Sequence, residues 1–197
     1  MPANMNGRCA TPPARSHERE VLRLATRCAG GVFAAATVVM WRYERLMHET
    51  GGPGIIALEV AGTHRRATEI ISTWGPQGVA AARKSVWLDF GYMSIYGTFA
   101  ALLSERARRR HSDRAISIPQ YLVPAACVVA VAADACEGVA LLHVLEDRDR
   151  GTNAARARRA ASLKFGALSI VLVYWAASHF LAPTTPTAER QLTTDAL

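Results

Sequence analysis

Hydrophobic and polar positions segregate along this chain instead of alternating at a period of 2 or 3.6 throughout, as they would in a soluble globular domain. Three long apolar blocks meet the length of about 20 residues needed to cross a hydrocarbon core. Ser85 to Leu103 carries one charge, Asp89; Pro119 to Leu145 carries two, Asp134 and Glu137; Ala160 to Ala182 carries one, Lys164. An earlier block, Cys28 to Trp41, is shorter. It reaches spanning length when Arg23 and Arg27 extend along the helix and lift their guanidinium groups to the headgroups. The pattern predicts an all-α fold: a polytopic membrane helix bundle with four transmembrane helices, at about 22–41, 85–103, 119–145 and 160–182. Pro119 suits the first turn of the third span, and Pro124 is expected to bend that helix farther in.

A different periodicity fills the stretch between the first two spans. Ile56, Val60, Ala67, Ile70, Ile71 and Trp74 share one helical face, with Glu59, Arg65, Arg66, Glu69 and Ser72 elsewhere. Gly51-Gly52-Pro53-Gly54 and Gly75-Pro76-Gln77-Gly78 bound it. These features predict an amphipathic connector helix over about 55–74, lying on the membrane surface or covering the bundle end, with Glu59 and Thr63 on this lid or cover. The chain divides into a basic N-terminal segment (1–21), a four-helix membrane domain (22–182) and a Thr- and Pro-rich tail (183–197) expected to be disordered.

Composition narrows the function classes. The 197 residues are 50% hydrophobic and 20% charged, with a net charge of +7. Basic charge often signals nucleic acid, but these arginines flank apolar spans, where they meet anionic lipid, and no aromatic residues interleave them as a stacking platform requires. The expected partners are membrane lipids, not nucleic acid. Cys9, Cys28, Cys127 and Cys136 show no metal or redox spacing, and the six histidines form no i, i+4 pair. Neither a metal site nor a cofactor is implied. The apolar block after Arg27 runs into Arg42-Tyr43-Glu44-Arg45 without a small-residue cleavage site, which predicts an uncleaved anchor. Lys and Arg counts tie between the two sides of the bilayer. The dense run Arg106, Arg108, Arg109 and Arg110 favours an orientation with both termini inside.

Ionisable groups inside a span cost about 2.5–3.5 kcal/mol each at mid-membrane, so Asp89, Asp134, Glu137 and Lys164 need a reason to be there. Asp89 and Lys164 lie early in their spans, while Asp134 and Glu137 lie past the middle of an antiparallel one. All four therefore fall in one half of the bilayer, on the side of the connector. Asp134 and Glu137 share a helix face at i, i+3. Tyr92 and Tyr96 extend the stripe begun by Asp89. A polar cluster inside the bundle is expected, with Arg42, Arg83 or Lys84 within reach at the membrane edge.

The segments GIIALEVAGTHRRATEIISTWG, LDFGYMSIYG, DACEGVALLHVL and SLKFGALSIVLVYW together resemble a group of uncharacterised bacterial four-helix integral membrane proteins. The matching positions are Glu59, Thr63, Asp89, Tyr96, Asp134, Glu137 and Lys164, across residues 54–175 or so. Where the group carries Glu-Asn on the third helix, this chain has Glu137-Gly138. The resemblance supports the fold and these site residues and supplies no activity; the expected localisation is the bacterial plasma (inner) membrane, as a multi-pass protein.

Three readings follow from the charges. In the first and favoured one they are polar glue in a structural or accessory membrane component, helped by the small-residue pairs Gly31/Ala35 and Gly97/Ala101. In the second they form the proton- or cation-handling site of a small transporter or channel-like protein. Four helices are narrow for that task, and a homo-oligomer would widen it. In the third, a carboxyl and a tyrosine act on a membrane lipid. Against an enzyme stands the absence of H-E-x-x-H, G-x-S-x-G, P-loop or histidine-box strings.

Overall fold

A computed structural model describes residues 13–111 and 121–180. Five helices follow in order: α1 (Pro13–Glu49), α2 (Ile55–Glu59), α3 (His64–His111), α4 (Leu122–Leu145) and α5 (Arg150–Phe180), with no strand among the described residues. Four of them contain stretches long and apolar enough to cross a membrane: His17–Glu49, His64–Arg109, Leu122–Leu145 and Arg150–Ser178. The all-α bundle expected from the apolar blocks is therefore present. Pro119, the N-terminal residues 1–12 and the tail 183–197 lie outside the described residues.

α4, the most apolar of the helices, occupies the centre, with its two acids turned to one side. Half of the most apolar stretch of α4 is buried, against 6% in α1. α4 pairs most closely with α5, α3 lies against both, and α1 packs chiefly on α3. At the α1–α3 contact Phe99 fills the space beside Gly30, 3.2 Å from where a Cβ would stand, while Gly31 faces open space. Gly97 does act as a close-approach point, because Val131 Cγ2 lies 2.7 Å from its would-be Cβ.

A tight turn makes the α4–α5 hairpin. Asp147 and Asp149 take positive φ (60° and 42°), a conformation that Asp tolerates better than most residues. Arg150 binds the last turn of α4 by donating from Nε to the Val144 carbonyl at 3.2 Å, one of the acceptors left over at a helix end. Its Nη1 donates to Thr68 Oγ1 of α3 at 3.2 Å, and Nη2 pairs with Asp147 at 3.2 Å.

The connector departs from the single helix expected over 55–74. It is two helices, α2 and the start of α3, separated by a break in which Gly62 has φ 68°. A side chain at Gly62 would also collide with Arg158, whose Cδ lies 2.6 Å from the would-be Cβ. Thr63 is the N-cap of the second piece, its Oγ1 accepting from Arg66 N–H at 3.3 Å. The break changes the helical phase. Leu58 and Glu59 turn inward, whereas Ile56 and Val60, placed on the apolar stripe by spacing, are exposed. Ala67, Ile70 and Trp74 are buried, so the stripe holds only from α3 onward.

The second span does not start afresh at Ser85. α3 consists of two helical pieces that meet at a kink: Gly75 (φ 58°, ψ −169°) is non-helical, so the expected bound of the connector at Gly75-Pro76 is present, and the next piece begins at Pro76. Pro76 stands in the first turn of the second piece, where its missing N–H costs nothing, and the positive-φ glycine before it absorbs the change of direction. Pro124, expected to bend the third span, is instead the third residue of α4. It sits in the first turn, where its missing N–H costs nothing.

Trp74 fixes the connector. Its ring is 1% exposed within a core that includes Met47, Leu58, Ile70, Leu141 and Val144, and Nε1 donates to the Pro53 carbonyl at 2.6 Å. Glu44, near the end of α1, accepts from Ile55 N–H at 3.0 Å through Oε2, capping α2 from another helix. Trp74→Ala is expected to cost about 3–5 kcal/mol through the cavity it leaves. Trp74→Phe, which keeps most of the ring and loses the N–H bond, should cost about 1 kcal/mol from the bond itself. Chemical denaturation in mixed micelles checks both values; equal costs would show that the hydrogen bond, not the packing, seats the connector.

Candidate functional site

Four elements converge on one ammonium group. Lys164 of α5 is 7% exposed, and its Nζ lies 2.9 Å from Asp134 Oδ1, 2.8 Å from Glu137 Oε2 and 3.7 Å from Glu59 Oε2. Asp134 and Glu137 stand one turn apart on the central helix, so both reach the same side of α4. Glu59 comes from α2, turned inward by the break at Gly62. Tyr96 brings in α3 by donating from Oη to Asp134 Oδ2 at 2.6 Å. Asp134 thus accepts from Lys164 on one oxygen and from Tyr96 on the other.

The remaining candidates lie around this centre. Asp89 is half-buried, with its carboxyl facing that of Asp134. Tyr92 stacks edge-on to Tyr96 with centroids 5.7 Å apart, but its hydroxyl is 2.9 Å from Thr37 Oγ1 and joins α3 to α1. Thr63 is an exposed helix cap and takes no part in the cluster. Arg42, Arg83 and Lys84, expected at the rim, are exposed. Gly138 faces Phe90, 3.1 Å from its would-be Cβ. A larger residue at that position would push on Phe90.

Glu59 was legible as a candidate residue but not as a member of the cluster, because the spacing grouped it with the polar positions of a single helix through 55–74 and not with the charges of the spans. The signal for its real position was Gly62, which stops that helix three residues later. Glu44 was not singled out at all. It caps α2, lies 3.6 Å from His48 Nε2 and is close enough to Glu59 to act on its charge.

Charge and hydrogen bonding do not balance inside the site. Glu59 Oε2 and Glu137 Oε2 are buried, and neither has a hydrogen bond of good geometry among the described residues. Both are ion-paired with Lys164 Nζ, Glu137 at 2.8 Å and Glu59 at 3.7 Å. Burial raises the Glu59 carboxyl above its ordinary value of 4.5, against the opposing pull of Lys164 and the contact with Glu137; Asp134 and Glu44 add to the rise. No group of three or more His, Cys, Asp or Glu residues disposed to hold a metal ion occurs among the described residues. The cation at the centre is the lysine itself.

Fold and site together define an all-α bundle with four helices able to cross a membrane and a buried Asp/Glu/Lys cluster. No protein-family model matches the chain, nor does any curated protein or solved structure.

The shifted carboxyl has a consequence for stability. A carboxyl that titrates higher in the folded state binds its proton more tightly there, so its contribution is present below the ordinary value of 4.5 and is lost as pH rises through the folded value. The groups facing Glu59 are Lys164 of α5, Asp134 and Glu137 of α4, Asp89 of α3 and Glu44 of α1. Thermal melts taken upward from pH 4.5 should show stability falling with pH, with a smaller slope in Glu59→Gln. An unchanged slope in that variant would assign the dependence to the other acids.

Proposed function

We propose that this protein is a structural or accessory component of the bacterial plasma membrane, in which the acid–lysine cluster latches the connector onto a four-helix domain with both termini inside. The observation that carries this reading is that one ammonium reaches carboxylates from α2 and α4 while Tyr96 ties α3 to the same Asp134. In lipid, helices gain little from burying apolar side chains against one another, so polar contacts and close packing decide which arrangement forms. A cation shared by several elements supplies such a contact at one point.

A second reading is favoured by the excess of acid. Three carboxyls meet one ammonium and Asp89 stands beside them, an arrangement richer in acid than an ion-pair latch requires. This supports a site that exchanges protons or a small cation, with Glu137 and Asp134 as the exchanging groups and Lys164 as the counter-charge.

A double-mutant cycle separates the two. For the latch, Lys164→Met should be the most damaging single change, costing about 3–5 kcal/mol because three carboxylates lose their cation. Asp134→Asn or Glu137→Gln in the Lys164→Met background should recover part of that loss. Melting of the purified protein in detergent gives the stabilities. Singles as stable as wild type would overturn the latch; pH-driven uptake into vesicles that disappears in a folded Glu137→Gln variant would establish the exchange site.

A further inference from the structure

The half of the bundle away from the connector contains a groove that the cluster does not use. It lies between α3 and the first half of α4, encloses about 940 Å³ and is walled by side chains such as Ala101, Val128 and Ala132. Its lining runs inward past the close contact of Gly97 with Val131 as far as Ala135. At its other end Arg108, Tyr121 and Tyr174 line the mouth. Gly97 to Arg108 spans roughly 16 Å along a helix rising 1.5 Å per residue. That is about one leaflet of a hydrocarbon core roughly 30 Å thick.

We infer that this groove binds one anionic phospholipid, with an acyl chain between Ala101 and Val128 and the phosphate at Arg108. Three observations select this occupant. The wall is apolar over a leaflet's depth. The mouth carries two tyrosines, the residue type that sits at headgroup level. The mouth also carries a cation: Arg108 lines it beside Glu105, with Arg106 and Arg109 within one turn of it along the chain. Arg108 gives Nε and one Nη2 hydrogen to Glu105, at 2.7 and 2.8 Å. A guanidinium has five donors, so three remain for a phosphate. Arg108 is held in place by Glu105 and is still half-exposed at the groove mouth. Juxtamembrane arginines favour anionic lipid by about 1 kcal/mol each.

Glu105 then acts as a brake. Its carboxylate competes with the phosphate for Arg108 and also accepts from Arg109 Nε at 2.7 Å. Neutralising it frees Arg108 and leaves Arg109 only its contact with Glu18 at 3.4 Å, so affinity should rise when the acidic residue beside the site is removed. An apolar groove without headgroup recognition would not respond in that way.

The test uses the full-length protein in detergent micelles, titrated with phosphatidylglycerol or phosphatidylcholine and read by native mass spectrometry. The wild type should retain phosphatidylglycerol about five-fold more strongly than phosphatidylcholine, the preference expected of a single arginine at the surface. Arg108→Gln should abolish the preference and Glu105→Gln should increase it. Ala101→Trp should remove binding of both lipids by filling the groove. Helical content and monodispersity show whether that variant folds, and if it does not, the two mouth variants decide. Equal binding of the two lipids by wild type, or an unaltered preference in both mouth variants, would overturn the proposal. So would a wild-type dimer that Ala101→Trp converts to monomer, which would assign the groove to a second copy of the chain.

Discussion

The arrangement depends on keeping one ammonium buried. A lysine 7% exposed in a bundle of this kind is tolerable only with negative partners close by. Lys164 has them from two directions, with Asp134 and Glu137 on the central helix and Glu59 on a five-residue helix that would have little reason to form alone. The pull also runs the other way, since each carboxylate needs the cation. α2 is therefore defined by tertiary contacts: Glu44 caps its start, Leu58 enters the core and Glu59 meets Lys164.

Several features around the cluster serve this geometry. Gly62 breaks the connector so that Glu59 faces inward, and Thr63 restarts the helix immediately. Gly75 and Pro76 redirect α3 so that its first turns cover the bundle end while its later turns deliver Tyr96 to Asp134. Arg150 fastens the α4–α5 turn to α3 and so sets the register that places Lys164 opposite Glu137. The latch draws on Asp134 and Glu137 of α4, and the lipid groove runs along α4 from Val123 up to Ala135, with Gly97 packed on Val131 along its wall. In the proposed membrane setting, the latch fixes the helices and the groove leaves them apart.

Much of this was legible in the chain. The segregation of apolar blocks gives four helices, because spanning a bilayer demands length and continuous apolarity, and both are visible without coordinates. The antiparallel order of the spans put Asp89, Asp134, Glu137 and Lys164 at one depth. What spacing could not give was phase across a break. Ile56 and Val60 fit the stripe of Trp74 only if the helix is continuous, and a single left-handed glycine invalidates the count. Tyr92 shows a related limit. It lies on the same face as Tyr96, but its hydroxyl reaches Thr37, and nothing in helical periodicity predicts which neighbouring helix will offer a partner.

The most direct test of the central claim is hydrogen–deuterium exchange of the backbone over residues 54–61, in wild type and Lys164→Met, with the protein in lipid nanodiscs. If the ammonium holds α2 in place, the variant loses protection in this segment first, while the α4–α5 turn, fastened separately by Arg150, keeps its protection. Unchanged protection over 54–61 in a folded Lys164→Met protein would contradict the account. It would mean that Trp74 and Glu44 seat the connector without the charge cluster.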